Sequence, residues 1–296
     1  MTDTCSGLRS GPCARGDVTI LPMRGYPSWS RQERRDDGPP TVRTVRSRGH
    51  TISYEDTGTG EPVVLIPGYT MSAADWRDCG YVDGLATARR VISVDPLGHG
   101  LSDKPRDPAA YPWPDVASDI VAAMDSAGIE RAAVWGYSRG ADLAGVVASN
   151  FPDRVTALIL GGQDLTWVPA PEPAPWALAL AEGDWLPFWD LYAMPDEDRR
   201  YCAKVGNARA LGAVHIGARS SGYAIDLSRI TAPALVYCGG NDDPDEVTRT
   251  ADALGVELQV LPGLDHSDAF SPVGGGTGTL EAVLPLVHAH LERNGP

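Results

Sequence analysis

Residues 134–140, VWGYSRG, hold a serine between two glycines in the pattern G-x-S-x-G: Gly136-Tyr137-Ser138-Arg139-Gly140. An apolar run precedes the motif and a helical pattern follows it. In that setting a tight, strained turn lifts the hydroxyl clear of the backbone at the positive end of the next helix. Ser138 is therefore the candidate nucleophile. A serine hydroxyl attacks poorly until a base takes its proton. Of the six histidines, His266 in LPGLDHSDAF follows the last predicted strand and lies in a loop before the last helix. His50 falls in a hairpin, His99 in a glycine-rich loop, His215 in a mid-chain segment without strands, and His288 and His290 on the final helix. The base in turn needs a carboxylate to hold its tautomer and steady its charged form. VYCGGNDDPDE offers Asp242, Asp243 and Asp245 after a buried strand. Asp242 is favoured because it comes first after Gly239-Gly240-Asn241; Asp243 suits the N-cap of the next helix. Asp164, in GGQDLT after an earlier strand, is the rival.

A tetrahedral oxyanion needs donors already aimed at it. The backbone N–H of Arg139 is one. The other is expected from Pro67-Gly68-Tyr69-Thr70, with the N–H of Tyr69 favoured, since Pro67 has none and Gly68 lets the chain turn.

These residues sit at the ends of short apolar runs that alternate with helical stretches. TVRTVRSRGHTISYEDTG alternates and breaks at Arg48-Gly49, which predicts a hairpin. VVLIP, RVISVD, AAVWG, VTALILGG, PALVYCGG and VELQVLPG read as buried strands. Helices are predicted near 73–88, 114–127, 139–150, 245–254 and 280–293. Strands alternating with helices imply an α/β fold, a mainly parallel sheet covered on both faces. Such open sheets bind ligands outside the carboxyl ends of their strands, where the candidate residues lie. Between about Asp164 and Ile230 no strand is apparent. That segment carries Trp167, Trp176, Trp185, Phe188, Trp189 and Tyr192 and a proline run, and it predicts a helical insertion. The expected organisation is an N-terminal extension over 1–40, a core over 41–163, a helical cap over 164–230 and the rest of the core over 231–296. Residues 1–40 are rich in Gly, Pro, Ser and Arg without periodicity, which predicts disorder.

The formal net charge of -14 in 296 residues argues against nucleic acid or an anionic membrane as a partner. No run of about 18 apolar residues suggests a membrane span, and no apolar leader is evident. The five cysteines are scattered and lack C-x-x-C spacing, so neither a disulfide framework nor a zinc site is expected. These features predict a cytoplasmic protein acting on a small molecule.

The pieces LIPGYT, VDPLGHGLSDKP, GYSRG, GGNDD and GLDH together resemble the α/β-hydrolase superfamily from about Thr41 onward, in particular its small bacterial esterase and enol-lactonase type members. In that family the order is serine, acid, histidine, which matches Ser138, Asp242 and His266. The resemblance implies a cap over about Trp167 to Ala224 with a pocket beneath it. Tyr137, Trp167, Trp185 and Trp189 are the candidate pocket residues. It also implies that Asp95 and His99 are structural. The implied activity is hydrolysis of an ester or lactone of a small apolar molecule through an acyl-enzyme, without metal or organic cofactor. A thioesterase, a C–C bond hydrolase, a biosynthetic cyclase or lyase, or a ligand receptor would share the same residues. Three positions depart from the common pattern: Pro67-Gly68 before the oxyanion residue, Arg139 after the serine, and Asp142 one turn later. Arg139 and Asp142, three apart on one helix, are expected to pair.

Overall fold

The computed structural model describes residues 41–168, 172–271 and 278–294. The expected extension over 1–40 lies outside the described residues. Eight strands form one sheet: β1 (Thr41–Ser47), β2 (His50–Gly58), β3 (Glu61–Ile66), β4 (Arg89–Asp95), β5 (Ala132–Tyr137), β6 (Val155–Gly161), β7 (Ala234–Gly239) and β8 (Leu258–Leu261). Their order is β1-β2-β4-β3-β5-β6-β7-β8. β1 and β2 form the predicted hairpin, turning through Arg48 and Gly49 with φ of 47° and 85°. Two positive-φ residues in a two-residue loop suit the right-handed twist of the flanking strands. β2 pairs antiparallel with β4; every pairing beyond that is parallel.

The apolar runs arise because both faces of the sheet are covered. Side chains alternate across a strand. In β3, Val64 and Ile66 join a core formed with α3 (Trp113–Ser126) and α4 (Arg139–Asn150). Val63 and Leu65 join the opposite core, which holds Trp76, Tyr81, Trp135, Phe270, Val283 and Val287. The rings of Trp76 and Trp135 meet edge to face at 4.9 Å, a favoured geometry for aromatic pairs. One predicted element differs. The helix expected near 73–88 is two short helices, α1 (Ala73–Asp78) and α2 (Tyr81–Ala86). They are separated at Gly80, whose φ of 86° lies in the left-handed region where a helix cannot continue.

Between β6 and β7 lie four helices, α5 (Pro175–Glu182), α6 (Leu186–Leu191), α7 (Asp196–Val205) and α8 (Ala208–Ser220). They bury a small core of their own: Leu180, Phe188, Met194, Cys202, Ala208 and Leu211. After β7 come α9 (Pro244–Leu254), β8 and α10 (Gly278–Asn294). Among the described residues, no helix is long and apolar enough to cross a membrane, and no cluster of His, Cys, Asp and Glu is arranged to hold a metal ion.

Candidate active site

β5 ends at Tyr137 and α4 begins at Arg139, so Ser138 alone makes the turn. Its φ of 52° and ψ of -125° are rare for a residue with a side chain. Strain of this kind costs on the order of 1–3 kcal/mol and persists only where the surroundings enforce it. The two flanking glycines are what enforces it. A Cβ on Gly136 would lie 2.0 Å from the carbonyl oxygen of Gly140, and one on Gly140 would lie 2.1 Å from that of Ile66. The turn is therefore pressed directly against the end of β3, and the serine N–H donates to Gly161 O at 2.8 Å.

Ser138 Oγ stands 2.9 Å from His266 Nε2, and His266 Nδ1 stands 2.8 Å from Asp242 Oδ2. The three residues come from the carboxyl ends of β5, β7 and β8. The last two loops are stapled together: Asn241 N–H donates to Leu264 O at 2.8 Å, and Asn241 Nδ2 donates to Gly263 O at 3.0 Å. Gly239 is needed there, because a Cβ would meet Leu264 O at 2.3 Å. His266 is one-fifth exposed at its side chain, at 20%. Burial disfavours its imidazolium, but the Asp242 hydrogen bond and charge, with Asp265 adding, outweigh burial and hold its pKa above the ordinary histidine value.

Asp164 is engaged elsewhere. Its Oδ1 accepts from Thr166 N at 2.8 Å, Thr166 Oγ1 at 2.7 Å and Thr250 Oγ1 at 3.2 Å. Arg249 lies 3.4 Å from its other oxygen. Asp243 caps α9, accepting from Glu246 N at 3.1 Å. Of the four acids offered by the sequence, Asp242 is the one hydrogen-bonded to the histidine.

The loop after β3 passes beside the serine: a Cβ on Gly68 would lie 3.6 Å from Ser138 Cβ. This brings Tyr69 next to the first turn of α4, where Arg139 sits. His99 fixes that loop. Its Nε2 bonds Tyr69 O at 2.7 Å, and burial holds it at a pKa of about 4, so it is a neutral donor at pH 7. Asp95 accepts from Ala73 N at 2.7 Å and Leu101 N at 2.8 Å, tying the same loop to the glycine-rich turn. The sequence motif around Asp95 and His99 was visible; its role in positioning Tyr69 required the fold.

The expected pocket residues are placed differently. Tyr137 is 2% exposed, and its hydroxyl donates to His266 O at 2.5 Å. It points to the opposite face of the sheet because neighbours in a strand alternate. Trp185 and Trp189 stack on each other at 5.7 Å and pack on the small core of the four helices. Trp167 donates its Nε1 to Asp142 Oδ1 at 3.3 Å and lies beside the site's α4. Arg139 and Asp142, expected to pair, attract each other electrostatically, with no salt bridge or hydrogen bond between them among the described residues. Arg139 instead stacks on the Trp113 ring at 4.0 Å, because its side chain crosses to α3.

A family model described as alpha/beta hydrolase fold matches residues 61–218, slightly more than half of the chain. 2-Hydroxymuconate semialdehyde hydrolase of a Pseudomonas strain is 33% identical over 127 residues, 43% of this chain and 44% of that protein. Epoxide hydrolase B of Mycobacterium tuberculosis is 37% identical over 101 residues, 34% of this chain and 28% of that protein. The matched part spans less than half the length of either relative. The solved structure of the bottromycin epimerase BotH is similar in fold, with a TM-score of 0.67 at 20% identity over 84% of this chain and 99% of that one.

Proposed function

The chain belongs to the alpha/beta hydrolase fold family, and from that premise we propose that it is a serine hydrolase cleaving an ester or lactone of a small molecule. The observation that carries this reading is the unbroken relay Asp242–His266–Ser138, with links of 2.8 Å and 2.9 Å, ending on a serine at φ 52°. Ser138 Oγ attacks the carbonyl carbon while His266 Nε2 takes the hydroxyl proton. Asp242 stabilises the imidazolium that forms. The N–H groups of Tyr69 and Arg139 receive the oxyanion. His266 returns the proton to the leaving alcohol, and water enters by the same steps in reverse order to free the acid. No step uses a metal or organic cofactor.

An epoxide hydrolase of this fold would need a carboxylate at the nucleophile position, and Ser138 stands there. The similarity to a C–C bond hydrolase supports one second reading, because the same serine and histidine would serve it.

The test is a fluorophosphonate probe followed by a turnover screen on p-nitrophenyl esters, lactones, thioesters and 2-hydroxymuconate semialdehyde. One label per chain, on Ser138, is expected. Ser138→Ala is expected to abolish labelling and to lower turnover by up to about a millionfold. Labelling that survives in Ser138→Ala removes the nucleophile assignment. Turnover of the semialdehyde alone moves the assignment to C–C cleavage.

A further inference from the structure

Arg139 is the residue directly after the serine, and its guanidinium lies 4.0 Å over the Trp113 ring. It lines a narrow cavity with His99, Tyr111, Trp113, Leu143 and Val214, bounded on one side by α8. Next to Val214 on α8, two polar atoms are buried without hydrogen-bond partners, Arg219 Nε and His215 Nε2. His215 is only 7% exposed, and its ring sits 4.2 Å from that of Trp176.

The groups here influence one another's ionisation. Burial, with the Arg219 charge adding, pulls Arg139 below the ordinary arginine value, while Asp142 and Tyr69 oppose. Burial likewise lowers Arg219. Asp142, near both, is pushed up to about 7 by its own burial, with Arg139 and hydrogen bonds from Trp167 and Gln163 opposing. His215 is held neutral by burial and by both arginines. Two partly buried cations near Asp142, one on α4 and one on α8, favour an anion beside them.

We propose that Arg139, Arg219 and His215 form the recognition site for a carboxylate carried by the substrate's acyl part. This deepens the hydrolase reading and rests on it for the word substrate. Arg139 is covalently next to the nucleophile, so a carboxylate held by its side chain belongs to a molecule whose reacting carbonyl lies over Ser138. Both guanidinium groups present fixed donor forks of the kind that take a carboxylate oxygen pair. His215, in its Nε2–H form, adds a third donor without adding charge. Trp113 and Trp167, each under one arginine, restrict the forks in the absence of ligand.

The proposal is tested in two ways on the full chain. Kinetically, p-nitrophenyl hydrogen adipate is compared with p-nitrophenyl hexanoate, which has a methyl group where the first has a carboxylate. The acid ester is expected to have the higher kcat/KM, by about tenfold or more for a charge-assisted bond. The preference is expected to collapse in both Arg219→Gln and Arg139→Met, whatever the absolute rate. Calorimetrically, the stable monoanilides from succinate to adipate are titrated against hexananilide, which separates the site from turnover. Binding of the acid anilides that weakens in both variants supports the site even if no ester is cleaved, in which case only the hydrolase reading falls. Equal binding of acid and neutral anilides, or a carboxylate preference untouched by both substitutions, overturns the proposal.

Discussion

The strained φ of Ser138 and the two hydrogen bonds behind it define three side chains whose replacement should have unequal effects. Asp242→Asn keeps the shape but presents an amide where an acceptor is required, so His266 loses its tautomer. Turnover is expected to fall by on the order of ten thousandfold. The pH profile separates this from misfolding. The base must be neutral to act, and Asp242 holds its pKa above the ordinary histidine value. The wild-type acidic limb of kcat/KM is therefore expected above the usual histidine range. Without the carboxylate the downward pull of burial is opposed only by the smaller Asp265 charge, so in Asp242→Asn the limb moves to lower pH while the plateau drops. A limb that stays in place would show that another group titrates. Asp164→Asn should behave oppositely. Its partners are Thr166, Thr250 and Arg249, not His266. A stability loss of about 1–3 kcal/mol with near-normal turnover is expected, read by denaturant titration beside the assay.

At the scale of elements, the site exists because α4 is pressed onto the end of β3. Gly140→Ala would place a Cβ 2.1 Å from Ile66 O, and a backbone atom cannot swing aside as a side chain can. The expected result is a loss of more than about 3 kcal/mol, or failure to fold, beyond the ordinary cost of a core substitution. Gly128→Ala is the control. It has open space around it and a φ of 69°, so it should lose only about 1–2 kcal/mol. The four helices over the sheet give a second prediction. Trp189 stacks on Trp185, and Arg199 lies 5.7 Å over its ring. Trp189→Ala is expected to lower the melting temperature and speed proteolysis within α6 and α7, while the ranking of ester substrates is unchanged. A changed ranking at unchanged melting temperature would put the ring against the substrate.

Across the whole molecule, one sheet carries two apolar cores, and the active loops all emerge from its carboxyl edge. Leu65 is fully buried in the core away from the four helices. Leu65→Ala should cost about 2–5 kcal/mol and lower the melting temperature by several degrees, near 2 °C for each kcal/mol at this chain size. Because the serine loop leans on backbone at the end of β3 rather than on that side chain, the fluorophosphonate label should persist below the transition. Lost labelling in a still-folded variant would mean that the core, not the backbone, holds the elbow.

The sequence by itself determined the α/β class, because a parallel sheet buried on both faces must be written as short apolar runs such as VVLIP and VTALILGG, each followed by a helical period. It also determined that Ser138 makes the turn: glycines at 136 and 140 and a strand-to-helix change are local signals. The fold alone decided what depends on several distant strands converging. Asp242 and Asp164 both follow buried strands and look alike in sequence. They differ because the loop after β7 is bonded to the histidine loop through Asn241, whereas Asp164 is turned into Thr250 and Arg249 of α9. Tyr137 adjoins the nucleophile in sequence, yet strand alternation sends its ring to the far side, where it holds His266 by the backbone. Arg139 and Asp142 have helical pairing distance and attract each other, and the stacking of the arginine on Trp113 of α3 is added by the fold. Local order is set by residue type and spacing; which side chains meet is set by register, alternation and close backbone approach, and those quantities exist only once the chain has packed.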